Sequence, residues 1–144
     1  MEPSHRTFGE AIGAAVIAGD YDTLHGYLAP WLQADFTPEA LRTVIEDRLR
    51  EMMEYAECDE LTYPVGADID GNMSTIEDLR RAPSWRPARA IPAEVTAENF
   101  RQWMSVQFLA DDSVEIDAWF DMWLAVVEVD GRNAIGYFEL EDPD

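Results

Sequence analysis

The chain has 144 residues, of which 47% are hydrophobic, and 30 acidic against 10 basic residues give it a net charge of −20. This length predicts a single domain, residues 1–144, with a sizeable core, and the hydrophobic content excludes a mainly disordered chain. The charge repels nucleic acid and anionic membranes, so we expect neither as a partner, and it attracts basic proteins.

The N-terminal third carries three helical signals. Apolar residues recur at helical offsets from about Ser4 to Ala18, and Gly19 suits the positive φ at which many helices end. Asp20 predicts the N-cap of a short second helix, whose apolar residues would be Tyr21, Leu24, Leu28 and Trp31. Thr37 predicts the N-cap of a long third helix with Pro38 at its first position.

The third helix is amphipathic. Its charged residues alternate in sign at offsets of four, from Arg42 through Glu46 and Arg50 to Glu54, which predicts ion pairs on the solvent side. Its predicted apolar stripe consists of Leu41, Val44, Ile45, Leu49, Met52 and Met53.

Residues 58–97 are predicted to be an irregular connection within the domain, because proline interrupts regular elements. The four prolines of this region are Pro64, Pro83, Pro87 and Pro92. Ser74 and Glu77 form a capping box, which predicts a short helix from about Thr75 to Arg81.

No metal site and no cofactor are expected. Asp68 begins a sequence that resembles the start of a calcium loop, but Met73 and Leu79 occupy the positions that require glycine and a bidentate acid, so we expect a turn. Neither a zinc-ligand spacing nor a glycine-rich phosphate loop is present in the sequence.

Two features of the sequence indicate the cellular compartment of the protein. Cys58 is the single cysteine, so no internal disulfide forms, which fits a reducing environment. The apolar run from Ala11 to Ala18 is too short to span a bilayer and lacks a convincing cleavage site after it, so we interpret it as part of a helix. These features predict a cytoplasmic protein.

The C-terminal third is interpreted as an antiparallel meander. Residues 100–109 and 115–122 fit both strand alternation and helical offsets. Strands are favoured because the second segment continues through a run of valines into the hairpin turn Asp130-Gly131, after which 134–141 resumes an apolar run. Helices followed by such a meander predict an α+β fold, with N-terminal helices packed on a curved antiparallel sheet.

Alternation assigns two faces to the strand that ends at this hairpin. One face would carry Ile116, Ala118, Phe120, Met122 and Leu124 and be plain core. The opposite face would place carboxylates beside indoles, as in a pocket or a partner surface. Our candidate binding residues are therefore Trp103, Asp117, Trp119, Asp121, Trp123 and Tyr137.

The chain resembles the nuclear transport factor 2-like superfamily, a cystatin-like α+β cone. The resemblance rests on Phe8–Gly19 followed by GDYDTLHGYLAP, on the long helix after Thr37-Pro38-Glu39, and on the C-terminal meander. It covers the two ends of the chain better than the middle, its motifs are generic, and we expect a bacterial member. It implies a cone interior that often holds a ligand. Members include isomerases, dehydratases, ligand binders and immunity proteins, so it implies a scaffold and not a reaction.

The first functional hypothesis is a non-enzymatic binding module. Exposed aromatic residues on a sheet favour burial against a partner, so we expect a homodimer. The ligand would be a basic protein or a small apolar molecule. With a basic protein as partner, the chain would be an acidic inhibitor or immunity-type protein that docks through acids around aromatic anchors.

The alternative hypothesis is a small-molecule acid–base enzyme of the isomerase or dehydratase kind, with a pocket inside the cone. Its catalytic candidates are His25, Asp117 and Asp121, with Tyr63 or Tyr137 as hydrogen-bond donors. The two aspartates are about 13 Å apart along a strand, too far to share a proton. The hypothesis requires an enclosed pocket in which at least two of these groups converge. A cone filled by Trp119, Trp123, Phe108 and Met104 would exclude it.

Overall fold

A computed structural model describes residues 5–56, 61–69, 76–77, 91–110 and 119–140. In these residues four helices precede four strands: α1 (His5–Ala18), α2 (Tyr21–Gly26), α3 (Pro30–Asp35), α4 (Pro38–Ala56), β1 (Leu61–Ile69), β2 (Phe100–Ala110), β3 (Trp119–Val129) and β4 (Arg132–Leu140). The strands form one antiparallel sheet in the order β1-β2-β3-β4, and α1 and α4 contact it. The predicted α+β fold, with N-terminal helices packed on an antiparallel sheet, is confirmed.

The turn from α1 to α2 forms as the sequence predicts. Gly19 has a φ of 70°, and its N–H donates to the carbonyl of Val16 while that of Asp20 donates to Ala15, the pairing of a Schellman motif. The carboxylate of Asp20 then accepts from the backbone N–H and the hydroxyl of Thr23, at 3.2 and 2.7 Å. Asp20 is therefore the N-cap of α2.

The predicted second helix is wrong in its extent. It ends at Gly26, and Leu28 instead forms an isolated parallel bridge with Ile135 of β4. The Ile135 N–H donates to the carbonyl of Tyr27, and its carbonyl accepts from the N–H of Ala29, each at 2.8 Å. A continuing helix would need these same backbone groups for itself, so the edge of the sheet interrupts it.

The long helix α4 has the predicted cap, because the Thr37 hydroxyl accepts from the Ala40 N–H at 3.1 Å. Its Arg42–Glu46 ion pair forms at 3.6 Å, whereas Arg50 pairs with Asp47 and not at the predicted offset of four. Within the predicted stripe, Leu41, Ile45 and Leu49 are buried, Met53 is half-buried and Val44 is exposed.

The sheet carries a hydrophobic cluster on each face. On the first face, which we call the helix-side core, strand residues meet α1, α2 and α4. Its strand members are Met104, Val106, Phe108, Met122, Leu124, Val126 and Ile135. On the other face, the outer cluster, strand residues meet segments that flank the sheet. Its buried members are Ala29, Ile76, Val95, Phe100, Trp103, Ala125, Val127 and Ala134.

A bulge at Gly136 reverses the alternation of β4. Tyr137 is opposite Ala125 and Ile135 is opposite Val126, so Gly136 is an extra residue between them. Ile135 therefore faces the helix-side core, whereas Tyr137, two residues later, faces the outer cluster. A side chain at Gly136 would not fit, because its Cβ would lie 2.6 Å from Val127 Cγ1.

The hairpin between β3 and β4 is the two-residue turn that the sequence predicts. Asp130 and Gly131 have φ of 52° and 77°, and Val129 is paired with Arg132. Positive φ at both turn residues is the signature of a type I′ turn, whose twist matches that of the strands. The strand after it begins at Arg132, two residues before the predicted start.

The prediction of an irregular connection over 58–97 is corrected at residues 61–69, which form strand β1. Pro64 lies between two register shifts of β1, and β1 is at the edge of the sheet, where proline is tolerated. Of the predicted helix Thr75–Arg81, the structure describes Ile76 and Glu77, which are helical. The predicted segment 115–118 lies outside the described residues, while 100–109 and 119–122 are strand, as predicted.

Candidate functional site

Three aromatic side chains from three adjacent strands stack on the outer face of the sheet. Trp103 of β2 lies between Trp123 of β3 and Tyr137 of β4, with ring centroids 5.8 and 6.3 Å apart and interplanar angles of 11° and 19°. Ala125 is opposite both Trp103 and Tyr137, and its small side chain lets the two rings meet across β3. We call this group the aromatic stack.

Two carboxylates lie at the border of the aromatic stack. Glu139 is directly opposite Trp123 on β4, and it accepts a hydrogen bond from the Tyr137 hydroxyl at 2.9 Å. Asp121 is two residues from Trp123 on β3, and it accepts from the Gln107 side chain at 3.2 Å. These bonds fix the carboxylates beside the rings, which reduces the side-chain entropy lost when another molecule binds to them.

The structure brings four of the six predicted binding residues together on this face: Trp103, Asp121, Trp123 and Tyr137. Asp117 lies outside the described residues. Trp119 is placed by its backbone opposite Leu109 at the start of β3, and its side chain is not described. Sequence reasoning missed Glu139, although strand alternation places it on the same face as the predicted Tyr137, two residues earlier.

The indole nitrogen of Trp123 is buried, and it has no hydrogen-bond partner among the residues that the structure describes. A buried N–H without a partner costs about 1–3 kcal/mol relative to one that is bonded. Trp123 differs in this from Trp31, whose indole N–H donates to the carbonyl of Gly136.

Among the residues that the structure describes, the catalytic candidates His25 and Asp121 do not converge, whereas Asp121 and the candidate donor Tyr137 lie on the same face of the sheet. His25 donates from Nε2 to the carbonyl of Phe36 at 2.8 Å, and Phe36 contacts Phe138 on the helix side of the sheet. Asp121 lies on the outer side. The core between them is filled, because Phe108 and Met104 are fully buried there. The side chain of Tyr63 lies outside the described residues.

A cleft of about 690 Å³ lies at the hairpin end of β3 and β4, remote from Asp121. Its walls are the first turns of α1, the α2–α3 connection with Pro30 and Gln33, Arg101 of β2, and residues 128–134. The volume falls in the range of small-molecule sites, roughly 300–1,000 Å³. Sequence reasoning missed this cleft, because its residues come from four separate segments and only the hairpin has a local signal.

Comparison with family models, with curated proteins and with solved structures found no match. None of the described helices is both long enough and apolar enough to cross a membrane. Within the same described stretches, no three His, Cys, Asp or Glu residues are grouped so as to hold a metal ion. The fold and the site therefore define a class: an α+β protein with helices on one face of an antiparallel sheet and an acid-bordered aromatic stack on the other.

Proposed function

We propose that the protein is a non-enzymatic binding module that docks on a basic protein through the outer face of its sheet. An inhibitor or immunity-type protein is the form of this function that fits the charge. The observation that carries the proposal is the pair of half-buried rings Trp123 and Tyr137, which stack on the buried Trp103. Asp121 and Glu139 are held by hydrogen bonds at the border of these rings.

The chemistry of this face suits arginine and lysine side chains. Tryptophan and tyrosine rings attract cations over their faces, and carboxylates accept charge-assisted hydrogen bonds from guanidinium groups. Aromatic anchors surrounded by polar groups are typical of the residues that dominate binding energy at interfaces. The net charge of −20 adds long-range attraction, which raises the rate of encounter with a basic protein.

A basic partner is favoured over a second copy of the chain. Two copies that met through this face would bring Asp121 and Glu139 of each toward those of the other, and both chains carry a net charge of −20. Like charges at an interface cost several kcal/mol as an order of magnitude. The homodimer expected from the sequence is therefore the competing outcome of the experiment. The acid–base enzyme is less favoured, because His25 and Asp121 lie on opposite sides of the sheet and cannot act on one substrate atom.

The test is affinity capture from a lysate of the source organism with charge-matched variants. The site variant is Asp121→Asn with Glu139→Gln, and the control is Glu51→Gln with Glu54→Gln on the exposed side of α4. Both remove two negative charges. Trp123→Ala removes one ring of the stack without changing charge. We expect wild type and control to recover one basic protein at about 50 mM salt and to release it at about 500 mM.

The recovered protein is then purified and titrated with each variant. We expect the site variant and Trp123→Ala to weaken binding at least about tenfold, and the control less than about threefold. Equal binding by the site and control variants would show that total charge, and not this face, is responsible. Recovery of the bait alone, or sedimentation of the pure protein as a dimer that the site variant dissociates, would contradict the basic-partner proposal.

A further inference from the structure

The cleft at the hairpin end is separate from the proposed protein-binding face. Glu128, which lines the cleft, is seven residues along β3 from Asp121, a distance of about 23 Å in a strand. The cleft has an aromatic wall, because Phe8 and Tyr27 meet edge to face with centroids 5.5 Å apart and an interplanar angle of 76°. Its other apolar side chains among the described residues are Ala11, Leu28, Pro30, Val129 and Ala134.

The charges in the cleft differ from those of the rest of the chain. Overall, acidic residues outnumber basic ones by 30 to 10, but here the two arginines Arg101 and Arg132 face the two acids Glu128 and Asp130, with His5 in addition. The guanidinium of Arg101 is already hydrogen-bonded within the protein. It pairs with Glu128 at 2.6 Å and donates to the backbone carbonyls of Glu98 and Phe100.

Arg132, the other arginine of the cleft, takes no part in the contacts of Arg101. It is the first residue of β4, it is exposed, and among the described residues it makes no hydrogen bond or ion pair. With the Arg101–Glu128 pair set aside, the charged residues left among the described lining of the cleft are Arg132 and Asp130, and His5 adds a polar ring. A guanidinium presents several donors in one plane, which matches a carboxylate.

We propose that this cleft binds a small amphipathic monoanion, with its apolar body against Phe8 and Tyr27 and its carboxylate at Arg132. The volume of about 690 Å³ is sufficient for a molecule of one or two rings. The guanidinium of Arg132 can bind one negative charge, and the apolar wall beside it favours a ligand that is otherwise apolar. This site is independent of the protein-binding face and requires no reaction.

The probes that test the proposal are 2-naphthaleneacetate and its neutral amide, which differ in charge and scarcely in shape. Backbone amide NMR shifts report where each probe binds on the labelled protein. We expect the carboxylate to shift amides of residues 26–28 and 128–134 with a Kd of about 0.1–1 mM, the affinity of a fragment. We expect the amide to bind at least about fivefold more weakly, because it lacks the charge-assisted bond to Arg132.

Three variants complete the test. Arg132→Gln is expected to abolish the preference for the carboxylate, Arg132→Lys to retain most of it, and Arg50→Gln on α4 to leave it unchanged. Circular dichroism checks that each variant is folded. The proposal is overturned if both probes bind wild type equally, if the shifts map to the outer face around Trp123, or if no localised shifts appear up to about 5 mM carboxylate, well above the expected Kd.

Discussion

The indole N–H of Trp31 donates a 2.8 Å hydrogen bond to the carbonyl oxygen of Gly136, a residue 105 positions later in the chain. It joins α3 to the bulge of β4 next to the bridge between Leu28 and Ile135. The α2–α3 segment thus covers part of the outer edge of β4 and satisfies backbone groups that the sheet leaves unpaired there.

Replacing Trp31 with phenylalanine is expected to lower the free energy of unfolding by about 1–2 kcal/mol more than the same change at Trp123. Both variants replace an indole by a phenyl ring, but among the described residues only Trp31 loses a hydrogen bond, because Nε1 of Trp123 has no partner there. Urea unfolding followed by circular dichroism measures both values. Equal losses would show that the Trp31–Gly136 bond contributes nothing net.

Gly136→Ala is expected to destabilise the fold by about 1–3 kcal/mol, the usual cost of overpacking. The added Cβ would lie 2.6 Å from Val127 Cγ1 and 3.2 Å from Val95 Cγ2. Gly26→Ala is the matched control, because nothing lies within 4 Å of its added Cβ and its φ is not positive. A thermal melt of the double variant Gly136→Ala with Val127→Ala should show less than the sum of the two single losses. If the losses of the two single variants simply add, the destabilisation by Gly136→Ala does not come from its contact with Val127.

Stability in alkali is expected to depend on Tyr21. Burial raises the pKa of Tyr21 to about 12, the charge of Glu46 adds to the rise, and the guanidinium of Arg42, 5.0 Å from the ring centroid, opposes it. Because the folded pKa exceeds the unfolded value of 10.0, the neutral phenol stabilises the fold below pH 10, and this contribution is lost as pH rises through about 12.

The measurement is the urea midpoint of wild type and Tyr21→Phe across that interval. Wild type should lose stability faster than the variant from pH 10 to pH 12, because phenylalanine has no proton to release. Parallel curves for the two proteins would contradict a raised pKa at Tyr21.

The N-cap at Asp20 predicts the opposite pH dependence. Hydrogen bonds from the Thr23 hydroxyl and backbone N–H lower the pKa of Asp20 below 3.8. A depressed folded pKa gives stability that is present above the unfolded value and is lost as pH falls through the folded value. Asp20→Ala should therefore have a lower urea midpoint than wild type at neutral pH, and the gap should narrow in acid. Asp20→Asn, which retains a capping oxygen, should lose less at neutral pH. If the difference in urea midpoint between wild type and Asp20→Ala stays constant as the pH falls, the charge of the Asp20 carboxylate is not its cause.

The amino-acid sequence determined the local features of this fold. The Gly19 turn, the caps at Asp20 and Thr37 and the Asp130-Gly131 hairpin each depend on residues a few positions apart, so adjacent residues carry the whole signal. Alternation in β3 was likewise sufficient to place Asp121 and Trp123 on one face, because no bulge interrupts that strand.

Only the tertiary structure decided where the helical pattern of the second helix ends and where the alternation of β4 is interrupted. The second helix ends at Gly26 because Ile135 binds the backbone groups of Tyr27 and Ala29. Tyr137 and Glu139 face the outer cluster, while Ile135 faces the helix-side core, because the bulge at Gly136 shifts the alternation of β4. An isolated glycine in an apolar strand is a signal for such a bulge, but it does not say which way the strand turns. The backbone groups at the edge of β4 are hydrogen-bonded by residues about a hundred positions earlier in the chain, and the cleft is likewise lined by segments distant in sequence. A local sequence pattern carries no information about such distant partners.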